Sequence, residues 1–294
     1  MSILKDNVNQ GPGKLRELLK TEFVAAPGVF NGITALLAER AGFKATYLSG
    51  SGVAGAMGLP DLSVTTSSEV AEEIRRITLV SKLPLIVDAD TGFGEPINVT
   101  RTVRLFESSG ASAMHLEDQV LPKRCGHLNG KKIVEREEMT RKIRVAADTR
   151  KNPDFMIIAR TDARAVNGIE DAIERANLYV ESGADMIFTE APESEDEFRK
   201  FRKGVKGPLL ANMTEFGKGP LLSIEELLKI GYNAVIFPLT AFRVSLKAME
   251  QTYSHIMAAG TQRDYIDNLM TRADFYEVIG YNQYEIEDAE LSRR

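Results

Sequence analysis

Eight short apolar runs, each separated from the next by an amphipathic stretch, constrain this chain more than any other feature. The runs are "FVAAPGVF" (23–30), "ATYLSG" (45–50), "PLIVDAD" (84–90), "SAMHLED" (112–118), "FMIIARTD" (155–162), "ADMIFTEA" (184–191), "PLLANMTEF" (208–216) and "NAVIFPLTA" (233–241). Most are apolar throughout rather than alternating, as expected for parallel strands buried on both faces. The intervening stretches have helical period. Val70, Ile74 and Ile77 share one stripe of 67–82, and Ile169, Ile173, Ala176 and Val180 share one of 168–183. Thr66 with Glu69, Ser194 with Glu197 and Ser223 with Glu226 have capping-box spacing. Glycines in "ERAGF", "ESSGAS", "ESGAD" and "KIGYN" end helices just before the next strand. Eight βα units predict an α/β fold, a (β/α)8 TIM-type barrel spanning residues 1–294 as one domain. The other candidate is an open doubly wound sheet, but no glycine-rich dinucleotide fingerprint follows the first strand.

Two helical patterns follow the last strand, at 242–260 and 263–280. The first completes the eighth unit and the second is surplus. Tyr265, Ile266, Leu269, Met270, Phe275 and Tyr276 make the surplus segment strongly apolar, so a partner subunit is expected to cover it. The net charge of −5 offers no general attraction for nucleic acid. No apolar run is long enough for a membrane span. A single cysteine excludes an internal disulfide framework. That cysteine count and an N-terminus without an apolar signal stretch predict a cytoplasmic protein.

In such barrels the working residues stand at strand C-terminal ends. Those ends here carry Tyr47, Ser49, Gly50 and Ser51; Asp88 and Asp90; His115, Glu117 and Asp118; Arg160 and Asp162; Glu190; Asn212 and Thr214; Thr240 and Arg243. Core packing does not require that collection, so the chain reads as an enzyme. Asp88 and Asp90 are two apart on a strand and are expected to share a face. One reading makes them a helix cap and a backbone acceptor. The other, favoured by Glu117 and Glu190 on neighbouring ends, makes them part of an oxygen-only Mg²⁺ site. "SGSG" (49–52) is either a tight turn or a cradle for an anion. Arg160 and Arg243 either clamp substrate carboxylates or pair with Asp162 and Glu190. His115 is either a satisfied core histidine or a catalytic one.

The only cysteine, Cys125, stands in "VLPKRCGHLNGKK" (120–132), beside Lys123, Arg124 and His127. A lone cysteine is commonly an inert small hydrophobe. Positive neighbours instead favour thiolate and reactivity, and predict that character here.

"VDADTGFG", "HLEDQ" and "KRCGH" together resemble the isocitrate lyase / phosphoenolpyruvate mutase superfamily. "ARTDA", "ANMTEFG", "FPLTAFR" and "QYE" add similarity to the branch that cleaves 2-methylisocitrate. The resemblance runs from about residue 12 to 288. "KRCGH" is specific to the lyases, whereas "DADTG" marks the superfamily only. The resemblance implies a Mg²⁺-dependent carbon–carbon lyase, with Mn²⁺ a possible substitute, that releases pyruvate and succinate in propionate breakdown. It implies metal held largely through water by Asp88, Asp90 and Glu117. Catalysis would fall to Cys125, Tyr47, Lys123, His127 and Arg160. The substrate, a small di- or tricarboxylate, would be held by Ser49, Gly50, Ser51, Asp61, Cys125, Gly126, Arg160, Glu190, Asn212, Met213, Thr214, Arg243 and Arg272. Tyr47 would take the hydroxyl proton. Cys125, on a mobile lid, would protonate the succinate carbanion that His127, Lys123 and Arg160 stabilise. Phe188, Ile236 and Pro238 would face the extra methyl group. Helices about 242–290 would pack on a partner, the eighth being exchanged between subunits, and two such dimers would form a homotetramer. Isocitrate cleavage, phosphonate or oxaloacetate chemistry in the same barrel, and a silent dicarboxylate-binding barrel are the competing readings.

Overall fold

A computed structural model describes residues 9–293. Its eight parallel strands close in sequence order, β1-β2-β3-β4-β5-β6-β7-β8, with β8 paired back to β1. They are β1 Val24–Val29, β2 Thr46–Leu48, β3 Leu85–Asp88, β4 Ala113–Glu117, β5 Met156–Thr161, β6 Met186–Thr189, β7 Leu209–Asn212 and β8 Ala234–Phe237. Each lies within the run expected for it. Helices return the chain between strands, so the chain folds as a (β/α)8 barrel.

The double-sided burial has a clear division. Leu48, Val87, Leu116, Ile157, Ile187, Ala211 and Val235 point outward into one core shared with the helices. Ala26, Tyr47, Ile86, Ala113, Ile158, Phe188, Leu210 and Ile236 point inward into a second. Successive residues face opposite sides of a strand, and both sides are apolar here. The helix Gly11–Thr21 closes the floor of the barrel by adding Leu15 and Leu18 to the inner core.

Some local expectations change. Thr66 and Ser223 form complete capping boxes. Ser194 caps Glu197 N–H, but the Glu197 carboxylate turns instead to Arg164 and to Glu193 N–H. "SGSG" opens a short helix, Gly50–Ala56, rather than a bare turn. The last strand is followed by a long helix, Thr240–Ala259, in which no residue is buried. The surplus segment breaks at 269–271 into a 3-10 turn, Arg263–Asn268, and a helix, Arg272–Ile279. A further helix, Tyr281–Leu291, follows. Met257 is 88% exposed, and Val244, Tyr253, Ile266 and Phe275 are exposed as well. Among the described residues no helix is long and apolar enough to cross a membrane.

Candidate active site

Moving two residues along the inward face of a strand changes its chemistry. On β3 the inner face runs from Ile86 to Asp88, and on β4 from Ala113 through His115 to Glu117. On β5 it runs from Ile158 to Arg160, and past β6 from Phe188 to Glu190. All of these polar groups are buried. Asp88, Arg160 and Glu190 open onto a cavity of about 150 Å³, lined also by Tyr47, Ser49, Ser51, Asp61, Lys123, Cys125, Gly126, His127, Phe188, Asn212, Thr214, Ile236, Pro238, Leu239 and Arg243.

The acidic wall departs from the expected strand geometry. β3 ends at Asp88, and Asp90 reaches the site through a turn with φ +46. Asp90 N–H donates to Asp88 Oδ1 at 2.9 Å, and Gly50 N–H donates to Asp88 Oδ2 at 3.1 Å. Burial would raise Asp88, but nearby positive charge, from His115 when protonated and then Lys123 and Arg160, holds it down at about 2. Burial pushes Asp90 up to about 6, with Lys123 opposing and Asp88 adding to the rise. Burial also lifts Glu117 well above the usual carboxylate range, against the pull of Arg160. Neither Glu117 oxygen accepts a hydrogen bond, and neither does Asp90 Oδ1. Their nearest charges are Arg160 Nε, 3.2 Å from Glu117, and Lys123 Nζ, 3.0 Å from Asp90. Buried carboxylate oxygens left without donors suit a hard cation, which prefers oxygen ligands. Among the described residues no three His, Cys, Asp or Glu side chains converge tightly enough to chelate an ion directly. The fit to a cation therefore rests on the orphaned carboxylate oxygens alone.

Beside this wall stands a hydrogen-bonded aromatic pair, with His115 Nε2 3.6 Å from Asp88 Oδ1. Tyr47 Oη and His115 Nε2 are 2.8 Å apart. Burial lowers His115 to about 4, so the imidazole is neutral at pH 7, and its Nδ1 has no partner. Burial, then the charge of Asp88, raises Tyr47 well above an ordinary phenol.

Arg160 makes the ion pairs of one reading while keeping a place in the cavity wall. It donates from Nε to Asp162 Oδ2 at 2.9 Å, lies 3.4 Å from Glu190, and still lines the cavity. Arg243 also lines it, but pairs with Glu215 rather than Asp162 or Glu190, at 3.0 Å. Asn212 Nδ2 donates to Glu190 Oε2 at 3.3 Å. His127 accepts a hydrogen bond from Lys218 N–H at Nδ1, while Nε2 lies 3.5 Å from Glu190 Oε1.

The charge state expected of Cys125 is corrected. Lys123 does not serve the sulfur, because its ammonium is held by Asp61 and Asp90. Burial pushes the Cys125 thiol up, outweighing the His127 backbone N–H that favours thiolate. The group at the cavity is a protonated thiol. Gly126 beside it touches the site closely enough that a Cβ would stand 1.8 Å from Glu190 Oε1 and 2.5 Å from Arg160 Nη2. Any larger residue there would push Glu190 and Arg160, both buried and paired with each other, out of place.

Of the residues expected to bind substrate, Gly50, Met213 and Arg272 do not line the cavity, and the Gly50 N–H is taken by Asp88. The Met213 side chain is buried in the outer core, where its sulfur accepts Leu222 N–H. Arg272 is exposed at the start of its helix and does not line this chain's cavity. Leu239 lines the cavity but was not among the expected residues. It carries no polar signal and is placed only by the turn after β8.

The family profile for phosphoenolpyruvate phosphomutase matches residues 15–257. A 2-methylisocitrate lyase from Aeropyrum pernix is 56% identical over 281 residues, covering 95% of this chain and 91% of that one. The chain belongs to the 2-methylisocitrate lyase branch of the phosphoenolpyruvate mutase family, and is a carbon–carbon lyase. Solved members of this family share the barrel closely. A 2,3-dimethylmalate lyase superposes with a TM-score of 0.90 at 35% identity, covering 97% of this chain and 96% of that one. A phosphonopyruvate hydrolase in complex with oxalate and Mg²⁺ gives 0.87 at 29% identity, covering 98% and 99%. In this lyase Asp88, Tyr47, Arg160, Glu190 and the Cys125 thiol line a single cavity.

Proposed function

We propose that the chain cleaves 2-methylisocitrate to pyruvate and succinate, with Mg²⁺ bound at the acidic wall. The observation that carries this is the Cys125 thiol lining one small cavity with the buried carboxylates of Asp88 and Glu190. A retro-Claisen cleavage needs one group to take a hydroxyl proton and another to give a proton to carbon. Asp88, Asp90 and Glu117 would hold the metal. Bound there, it would act as a Lewis acid toward the substrate's hydroxyl and forming ketone.

The remaining work belongs to the protein. Ser49, Ser51, Asn212, Thr214, Arg160 and Arg243 bind the substrate carboxylates, with Gly50 N–H holding Asp88 in place. Neutral His115, with its proton on Nδ1, accepts through Tyr47 the proton that leaves the substrate hydroxyl. Tyr47 thus serves as base without starting as a phenolate. As the carbon–carbon bond breaks, its electron pair moves onto the succinate fragment. Arg160 and His127 hold that charge, and the Cys125 S–H protonates the carbon. Lys123 acts indirectly, by balancing Asp61 and Asp90. Phe188, Ile236, Pro238 and Leu239 form the apolar wall that accepts the methyl group.

The assembly is proposed with the activity. No residue of the eighth helix is fully buried, and Phe242 of its first turn packs edge-on against Phe30 of its own barrel. The helix leaves an apolar groove of about 600 Å³ beside Pro27, Phe43, Phe237 and Val244. Exchange of this helix between subunits, with two dimers forming a tetramer, covers both surfaces, and Arg272 reaches a cavity only across such an interface. Light scattering that finds a monomer at micromolar concentration sinks the exchange. The reaction is placed in the cytoplasm.

The deciding assay supplies Mg²⁺ with 2-methylisocitrate or isocitrate and identifies the 2-oxo acid released. Pyruvate from methylisocitrate, abolished by EDTA, is expected. Faster glyoxylate release from isocitrate moves the assignment to that substrate, and no product from either overturns the reading.

A further inference from the structure

The cysteine loop is a closed span. Its ends meet at the Gln119–Ile133 bridge, where Val120 N–H donates to Lys132 O at 2.8 Å and Val134 N–H donates to Asp118 O at 2.9 Å. Within the span, the residue on each side of Cys125 is held by a buried side chain. On the N-terminal side the Gln119 carboxamide grips Arg124 twice. Arg124 N–H donates to Oε1 at 3.0 Å, and Nε2 donates to the Arg124 carbonyl at 2.9 Å. On the C-terminal side Lys131 Nζ donates to the Gly126 carbonyl and to Asp162 Oδ1, the latter at 2.8 Å.

These pins are costly groups to bury. Gln119 is 2% exposed and Lys131 8% exposed. An ammonium leaves water at a large desolvation penalty unless its partners are well placed. Nothing about closing the loop base requires either group, because backbone bonds already do that. Both side chains end at the peptide units next to the cysteine, and neither lines the cavity. Asp162, which receives Lys131, also receives Arg160, so the loop is referenced to the same strand end as the substrate-facing guanidinium.

We propose that Gln119 and Lys131 are positioning residues that set where the Cys125 thiol stands over the cavity. The inference deepens the proposed function and rests on its reading of Cys125 as the proton donor. Cleavage without correct protonation is unproductive, so an error in sulfur position reduces turnover more than binding.

The test uses Lys131→Met and Gln119→Leu in the full-length enzyme, both close in volume to the residues they replace. Cys125 is the only cysteine, so alkylation by iodoacetamide reports its position directly. In each variant kcat should fall about 10²-fold with KM changed less than about threefold, as for an angstrom-scale misplacement of a reacting group. Alkylation should become faster in both. Unchanged alkylation overturns the proposal, and so does faster alkylation with unchanged kcat. Should Lys131→Met fail to fold, as circular dichroism would show, Gln119→Leu decides alone. A wild-type enzyme inactive on methylisocitrate but with faster alkylation in the variants sinks the functional reading and leaves the pins standing.

Discussion

The floor and the mouth of this barrel are built from the same strands and obey opposite rules. At the floor the inward residues are Val24, Ile86, Ala113, Met156, Met186 and Leu210, closed by Leu15 and Leu18. At the mouth, two to four residues later, they are Asp88, Glu117, Arg160, Glu190 and Asn212. Both ends are shielded from water, apart from the half-buried Asn212. The floor gains free energy from burying apolar area, whereas the mouth takes charged groups out of water and leaves several oxygens without donors. The difference shows where stability is made and where it is given up for chemistry.

The largest expected effect tests the mouth alone. Cys125→Ser should cut kcat roughly 10²–10⁴-fold, the usual reach of a positioned general acid. Its melting temperature should stay near that of the wild type, and near-normal turnover would remove the thiol from the mechanism. Leu15→Ala tests the floor alone. It should cost about 2–5 kcal/mol in urea unfolding, as for other buried leucines, while KM stays unchanged in the folded protein. A changed KM would mean that floor and mouth are not independent.

Glu117→Gln sharpens the contrast by a smaller step. Burial of Glu117 without hydrogen bonds penalises its charged form, so the amide should leave the metal-free protein equally or more stable. With Mg²⁺ bound at the acidic wall as proposed, the wild type should melt at a higher temperature when Mg²⁺ is added, and the variant should lose that rise. A rise that persists in the variant removes Glu117 from the metal site. The smallest effect concerns pH. Because burial raises the Cys125 thiol, thiolate forms later than in a free cysteine as pH rises. The midpoint of its alkylation rate should therefore lie above about 8.5, and kcat should hold on the alkaline side until the thiol ionises. A midpoint below that value contradicts the environment described for the sulfur.

The floor was legible in the sequence because double-sided burial writes unbroken apolar runs, and all eight strands fall inside them. Most mouth residues were legible for the same reason, since strand ends can be counted. What escaped depends on which residues meet across the fold. The Lys123 and Cys125 spacing suggested a thiolate, but Asp61, 62 positions earlier, claims the ammonium. Asp88 and Asp90 had strand spacing, but β3 stops between them. Glu197 had capping spacing, and Arg164 from the preceding unit drew its carboxylate away. Lys131 resembled one more basic residue in a polar loop, and its partner Asp162 lies on another strand end.

Gly126 carries one more consequence. A side chain at this position would run into Glu190 and Arg160, so the loop and the mouth are cast against each other. Loops on barrels of this kind are commonly treated as interchangeable parts, but this one is not modular. Moving "KRCGH" to another scaffold would also mean moving the glutamate after β6 and the arginine on β5. The transferable unit is three strand ends and a loop, inherited or redesigned together.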